Sequence, residues 1–213
     1  MSDQHLLDRL QRSDSWIRAA SALTPEQRHE AFIFLSIAFN CLYGRRQYEG
    51  DETRIGEDVE VFVTKLLALA RFDGEEGGAT LPEAVAACRR EGAALIRDKF
   101  LDNRYWRGAT PSIELQARLN CDAEEALQRL DEGSFREFLS LVFRRIAVLR
   151  NQVMHGCATY GPRSQGRASL EKGLRVLRLL VPACYQLVFR HGHRVKWDPV
   201  PYPRAGSPAA PRR

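Results

Sequence analysis

Seven apolar residues, Phe135, Phe138, Leu139, Val142, Ile146, Leu149 and Val153, recur at spacings of three, four and seven. That period puts them on one face of an α-helix and is incompatible with a half-buried strand. Ser134-Phe135-Arg136-Glu137 precedes the stripe as a capping box, and Gly156 follows it as a stop. The spacing predicts a helix over about 135–155. Such a helix must bury its stripe against other elements, so the rest of the chain has to supply apolar faces of matching shape.

Those faces read as further helices. Leu6, Leu7, Leu10, Trp16 and Ile17 suggest a short first helix. Thr24-Pro25-Glu26-Gln27 reads as a capping box that opens a second helix, running to about Tyr43 and stopped by Gly44. Its middle, Phe32 to Phe39, is apolar almost all round and predicts a central position. Val59, Phe62, Val63, Leu66, Leu67 and Leu69 give a third helix, between a polar loop at 45–56 and a glycine-rich connector at 73–78. Thr80-Leu81-Pro82-Glu83 opens a helix to about Leu101, with Gly92 as a possible interruption. Residues 102–113 read as a loop with Tyr105 and Trp106 packed down. A short helix is expected from Asp122 to Gly133. After a loop at 156–166, the last helix covers about 167–190, with Leu170, Leu174, Leu177, Val181 and Val188 on one side and Pro182 expected to bend it.

No segment alternates with period two, so the fold class is all-α, a bundle of about six to seven helices. Residues 1–197 form one domain with an N-terminal helical extension. Residues 198–213, with five prolines in sixteen positions, read as a disordered tail. No apolar run is long enough to span a membrane, and no signal-peptide core follows the polar start, so a cytoplasmic location without membrane contact is expected. The five cysteines (Cys41, Cys88, Cys121, Cys157, Cys184) form no C-x-x-C pair, which favours reduced thiols over a metal site. Charge is unevenly spread. Residues 134–213 hold 15 Lys and Arg against 3 Asp and Glu, whereas residues 1–133 hold 17 against 24, so +12 and −7 make the net +5. The basic third is either a phosphate-binding surface or the electrostatic partner of the acidic part.

The helix over 135–155 ends in Arg150-Asn151-Gln152-Val153-Met154-His155-Gly156. Spacing alone carries little where 28 of 213 residues are arginine. Context carries more. Asn151 and His155, four apart, share a face, opposite the apolar stripe and alongside Glu137, Ser140 and Arg144. Arg150 lies at the edge of that face. A histidine in the last turn is favoured in its charged form, and an arginine near it can grip a phosphate with two parallel hydrogen bonds. The plain alternative is a helix C-cap in which Gly156 takes the left-handed position and Arg150 is solvated.

Arg-Asn-x-x-x-His-Gly at the end of one long helix and before another resembles the HEPN superfamily, most sharply over about 134–190. Ala38-Phe39-Asn40-Cys41-Leu42-Tyr43-Gly44 is similar to the N-terminal part of some bacterial HEPN proteins of the ApeA-like branch. The resemblance implies a dimeric, metal-independent endoribonuclease in which two motifs meet across the interface. It implies RNA as substrate, no cofactor, a 2′,3′-cyclic phosphate product, and a toxin–antitoxin, phage-defence or stress setting with a possible antitoxin or regulatory partner. His155 would act as acid or base, Arg150 would stabilise phosphorane charge, and Asn151 would orient His155 or a phosphate oxygen. Some HEPN toxins are silenced by adenylylation of a tyrosine two residues after the histidine. Here that position is Cys157, and the nearest tyrosine is Tyr160. Other HEPN domains are non-catalytic modules that bind a partner protein or a nucleotide, and this remains the alternative.

Around the motif, Arg144, Tyr160, Arg163 and Arg167 are candidates for holding RNA, the tyrosine by stacking on a base and the arginines on phosphate. Ser36, Asn40 and Tyr43 form a polar stripe on the apolar second helix. Asn40 and Tyr43 are candidates for supporting Arg150 or His155, against ordinary core hydrogen bonding. His191 and His193 flank Gly192 without nearby carboxylates or cysteines and read as surface. No metal site is expected.

Overall fold

The computed structural model describes residues 4–44, 55–73, 80–108, 111–156 and 166–200. Among them there are eight α-helices and no strand. In chain order these are α1 (Gln4–Ser21), α2 (Arg28–Tyr43), α3 (Ile55–Ala70), α4 (Leu81–Ile96), α5 (Asn103–Trp106), α6 (Ser112–Asp131), α7 (Arg136–Met154) and α8 (Arg167–His191). Single 3-10 turns follow α4 at Lys99–Leu101 and α8 at Gly192–Arg194. No helix among the described residues is long and apolar enough to cross a membrane.

The architecture follows from which helices carry more than one apolar face. α2 does, with Phe32, Leu35, Ala38, Phe39 and Leu42 all buried. It therefore sits between α1 and α8. α8 in turn packs on α4, α4 on α7, and α7 on α3, while α6 covers α4 and α7. The α7 stripe is buried as its period demands, with Phe138, Leu139, Val142 and Phe143 fully inside. An aromatic cluster joins α2, α3 and α7: Phe39 lies 4.4 Å from Phe143 and 5.7 Å from Phe62, centroid to centroid.

Two glycines set the closest helix approaches. A β-carbon on Gly92 would lie 2.4 Å from Phe138 Cζ, and one on Gly173 would lie 2.8 Å from Leu149 Cδ2. Gly92 is thus no interruption of α4. It is the position at which α7 can press a phenyl ring against the α4 backbone.

Several boundaries differ from expectation, each for a local reason. The Thr80 capping box forms in full, with Glu83 N–H donating to Thr80 Oγ1 and Thr80 N–H to Glu83 Oε2. The Thr24 box closes only a turn, in which Thr24 N–H donates to Gln27 Oε1, and α2 starts at Arg28. Ser134 spends its hydroxyl on the Glu137 side chain, and Phe135 precedes α7. α4 stops at Ile96 because Asp98 caps a new 3-10 turn, accepting from Phe100 N–H. α6 begins at Ser112, ten residues before the expected start, and buries Leu115, Leu119, Ala123 and Ala126 at helical spacing. α8 runs on through Pro182.

Three readings are corrected outright. Trp106 is not packed down but 60% exposed. His191 is not on the surface: it is buried beside Asp73, which Arg190 also contacts at 2.8 Å. The chain is also ordered past residue 197, because Arg9, fully buried, donates to the carbonyls of Leu42, Gly44 and Asp198. Trp197 lies under both Arg9 and Lys65, Lys65 reaches the Asp198 carboxylate at 3.0 Å, and Val200 is buried. Residues 201–213 lie outside the described residues.

Candidate functional site

The Arg150–Gly156 stretch ends α7 by a defined stop. His155 N–H donates to Asn151 O at 2.9 Å, and Gly156 N–H to Val153 O at 3.2 Å. Gly156 then takes φ +70°, which costs glycine nothing and any L side chain something. One turn earlier, Leu149 lies against the backbone of α8 at Gly173, where Phe32 of α2 also converges. The last turn and a half of α7 is thereby held at the junction of α2 and α8. His155 projects from it exposed, and Arg150 and Asn151 are half-buried.

The arginines of α7 divide into two groups. Arg136 donates to Thr64 Oγ1 at 3.1 Å, and Arg144 pairs with Glu60 at 2.7 Å, so both are turned onto α3. Arg145 is buried. It pairs with Asp102 at 2.7 Å and donates to the carbonyls of Ile96 and Leu101. Arg150 makes no ion pair or hydrogen bond with another described residue, nor do the side chains of Asn151 and His155. The polar face of α7 is therefore not uniformly open. α3 lies across its first part, Ser140 is buried there, and only its last turn is left uncommitted.

The second helix meets this turn at its own C-terminus. Tyr43 is buried against Phe39 and Phe62. Burial pushes its hydroxyl pKa up, and the Arg150 guanidinium is close enough to oppose that shift. Asn40, half-buried, accepts from Gly44 N–H through its carbonyl at 2.8 Å. Ser36 Oγ is buried with no hydrogen-bond partner among the described residues.

Residues that the sequence did not single out close the other flank. Gln152 Nε2 donates to Phe100 O at 2.6 Å, tying the motif turn to the 3-10 turn after α4. Asp102 follows that turn and holds both Arg145 and Arg104. Burial alone would raise its carboxyl, but the hydrogen bonds from Arg104 and Arg145 outweigh it and hold the pKa down at about 2. Burial likewise lowers the Arg145 pKa while Asp102 opposes it. Arg145 had one legible signal: it lies between Val142 and Leu149 on the apolar side of the helix, where an arginine requires a buried partner.

Of the remaining candidates, Arg167 opens α8 and pairs with Glu171 at 2.9 Å, and the same carboxylate receives Arg28 from α2. Tyr160, Arg163 and Cys157 lie outside the described residues. The basic third is in part the partner of the acidic part: Arg144–Glu60, Arg145–Asp102, Arg175–Glu91 and Arg190–Asp73 all cross that division. Among the described residues no three His, Cys, Asp or Glu side chains are grouped to hold a metal ion. In comparisons with known proteins, no family model, curated protein or solved structure matches the chain.

Proposed function

We propose that the chain is a metal-independent endoribonuclease of the HEPN type, acting as a homodimer whose two α7 termini form one composite site. The observation that carries this reading is the pattern of commitment along α7. Arg136, Arg144 and Arg145 are all engaged by neighbouring elements, whereas the side chains of Arg150, Asn151 and His155 at the helix end make no hydrogen bond or ion pair with a described residue. A cation, an amide and an imidazole left together in this way suit a phosphodiester.

The chemistry needs two proton transfers. One His155 takes the 2′-hydroxyl proton while O2′ attacks phosphorus. The partner copy's imidazolium gives its proton to O5′ as the P–O5′ bond breaks. The products are a 2′,3′-cyclic phosphate and a 5′-hydroxyl, and the net proton count is unchanged. Arg150 lies where fixed positive charge stabilises the phosphorane, and such donors do most when their positions are set before the reaction. Tyr43 is buried within electrostatic range of Arg150.

The test is cleavage of RNA in EDTA with end-group analysis. The expected result is cyclic phosphate ends, with activity lost in both His155→Ala and Arg150→Ala at unchanged circular dichroism. Activity that persists in those variants, or that requires a divalent metal, overturns the proposal. A chain that binds but never cuts leaves the non-catalytic module as the reading.

A further inference from the structure

Beside the motif turn lies a group of exposed aromatic residues that the mechanism does not use. Phe100 is 45% exposed and Trp106 60% exposed, with Tyr105 between them. The rings meet edge to face. Phe100 and Tyr105 have centroids 5.0 Å apart at 75°, and Tyr105 and Trp106 5.2 Å apart at 86°. Large exposed aromatics cost solvation free energy and call for an explanation when they cluster.

The group is held rigidly. Trp106 Nε1 donates to Phe100 O at 2.9 Å, so the indole has no polar need left and presents a π face alone. Gln152 Nε2 donates to that same carbonyl at 2.6 Å. One backbone oxygen thus joins the exposed indole to the α7 terminus, three residues from His155. On the α7 wheel Gln152 and His155 are about 60° apart, so both project toward one side of the helix end.

Cations flank the rings. The Lys99 ammonium lies 5.5 Å from the Phe100 centroid and 5.7 Å from that of Tyr105. Arg107 follows Trp106 and is exposed. Of the two acids of the segment, Asp102 is paired with Arg104 and Arg145, and Asp98 is turned inward, accepting from Phe100 N–H and Ser169 Oγ. A fixed π face with cations interleaved, and with its carboxylates held by internal hydrogen bonds, matches unpaired nucleobases on a phosphate backbone. An apolar protein surface would gain burial here but would leave the cations unmatched.

We infer that Phe100, Tyr105 and Trp106, with Lys99, form a stacking platform that binds single-stranded RNA and feeds it to the α7 terminus. The choice of RNA over DNA rests on the ribonuclease reading above; the stacking itself does not. The platform reads no sequence, because every base offers a π face. It rejects duplexes, whose bases are already stacked.

The experiment uses the full chain carrying His155→Ala, so that binding is measured without cleavage. The probe is an oligouridylate of about ten nucleotides, within the range that such surfaces cover. Of the three tryptophans Trp197 is buried, Trp16 is half-buried and Trp106 is 60% exposed, so the part of the fluorescence quench by RNA that is lost in Trp106→Ala reports on Trp106. Trp106→Ala is expected to weaken binding about tenfold and to remove most of the quench. Trp106→Phe restores most of the affinity but not the quench. Lys99→Ala lowers the slope of log affinity against log salt by about one. Equal affinity of Trp106→Ala and its parent overturns the inference, as does equal binding of duplex RNA. A Trp106→Ala change in sedimentation with RNA affinity unaltered also overturns it, and assigns the rings to self-association. If the wild-type chain fails to cut RNA yet Trp106-dependent binding persists, the ribonuclease reading falls and the platform stands.

Discussion

Asp102→Asn tests how the flank of the site is held. The substitution keeps volume and shape and removes one charge from a carboxylate that is 5% exposed. Arg145 then stays buried with neutral acceptors alone, the Ile96 and Leu101 carbonyls at 3.4 and 3.2 Å and the amide oxygen of the substituted side chain. Breaking one side of a buried pair costs about 3–5 kcal/mol, and the remaining neutral acceptors favour the lower end. For a chain of this length that corresponds to a fall in Tm of roughly 6–12 °C, read by calorimetry or circular dichroism at pH 7.

The acid dependence supplies an internal check. The folded carboxyl sits at about 2, below its ordinary 3.8. A depressed folded pKa contributes stability that is fully present above the unfolded value and is lost as pH falls through the folded one. The difference is worth roughly 2 kcal/mol above pH 5, about half of that at pH 3, and little at pH 2. The Tm gap between wild type and Asp102→Asn should therefore narrow between pH 5 and pH 3. A gap that is absent at pH 7, or that stays constant on acidification, refutes the account of Asp102 as an ionised anchor for Arg145.

Gly92→Ala places a methyl 2.4 Å from Phe138 Cζ and 3.1 Å from Val142 Cγ2, so it should lower Tm by roughly 2–12 °C where propensity alone would raise it. A rise in Tm would show that α4 and α7 can part at no cost. Exposed Cys121 should react promptly with a thiol reagent at pH 8, whereas Cys88, pushed up to about 12 by burial, and Cys184, raised by burial, should react only on unfolding. Prompt modification of more than one of Cys88, Cys121 and Cys184 in the native state, located by mass spectrometry, would contradict that burial.

The sequence by itself determined the helical class and the core face of α7, because the partition of apolar residues follows a local period that needs no knowledge of neighbours. It also determined the Thr80 capping box and the stop at Gly156, both matters of a few adjacent backbone groups. Tertiary structure decided what the polar residues do. Nothing local distinguishes Arg144, which Glu60 engages, from Arg150, whose side chain has no ion pair or hydrogen bond with a described residue, and although the helix period puts Arg145 on the apolar side, nothing local names Asp102 as its partner. Those acids are 84 and 43 residues away, and only the docking of α3 and of the turn after α4 brings them near. The same holds for His191, buried beside Asp73 from just past α3, and for Trp106, left exposed with its indole N–H bonded to a carbonyl six residues back. A short-range pattern fixes which face a residue is on, and the fold fixes what that face meets.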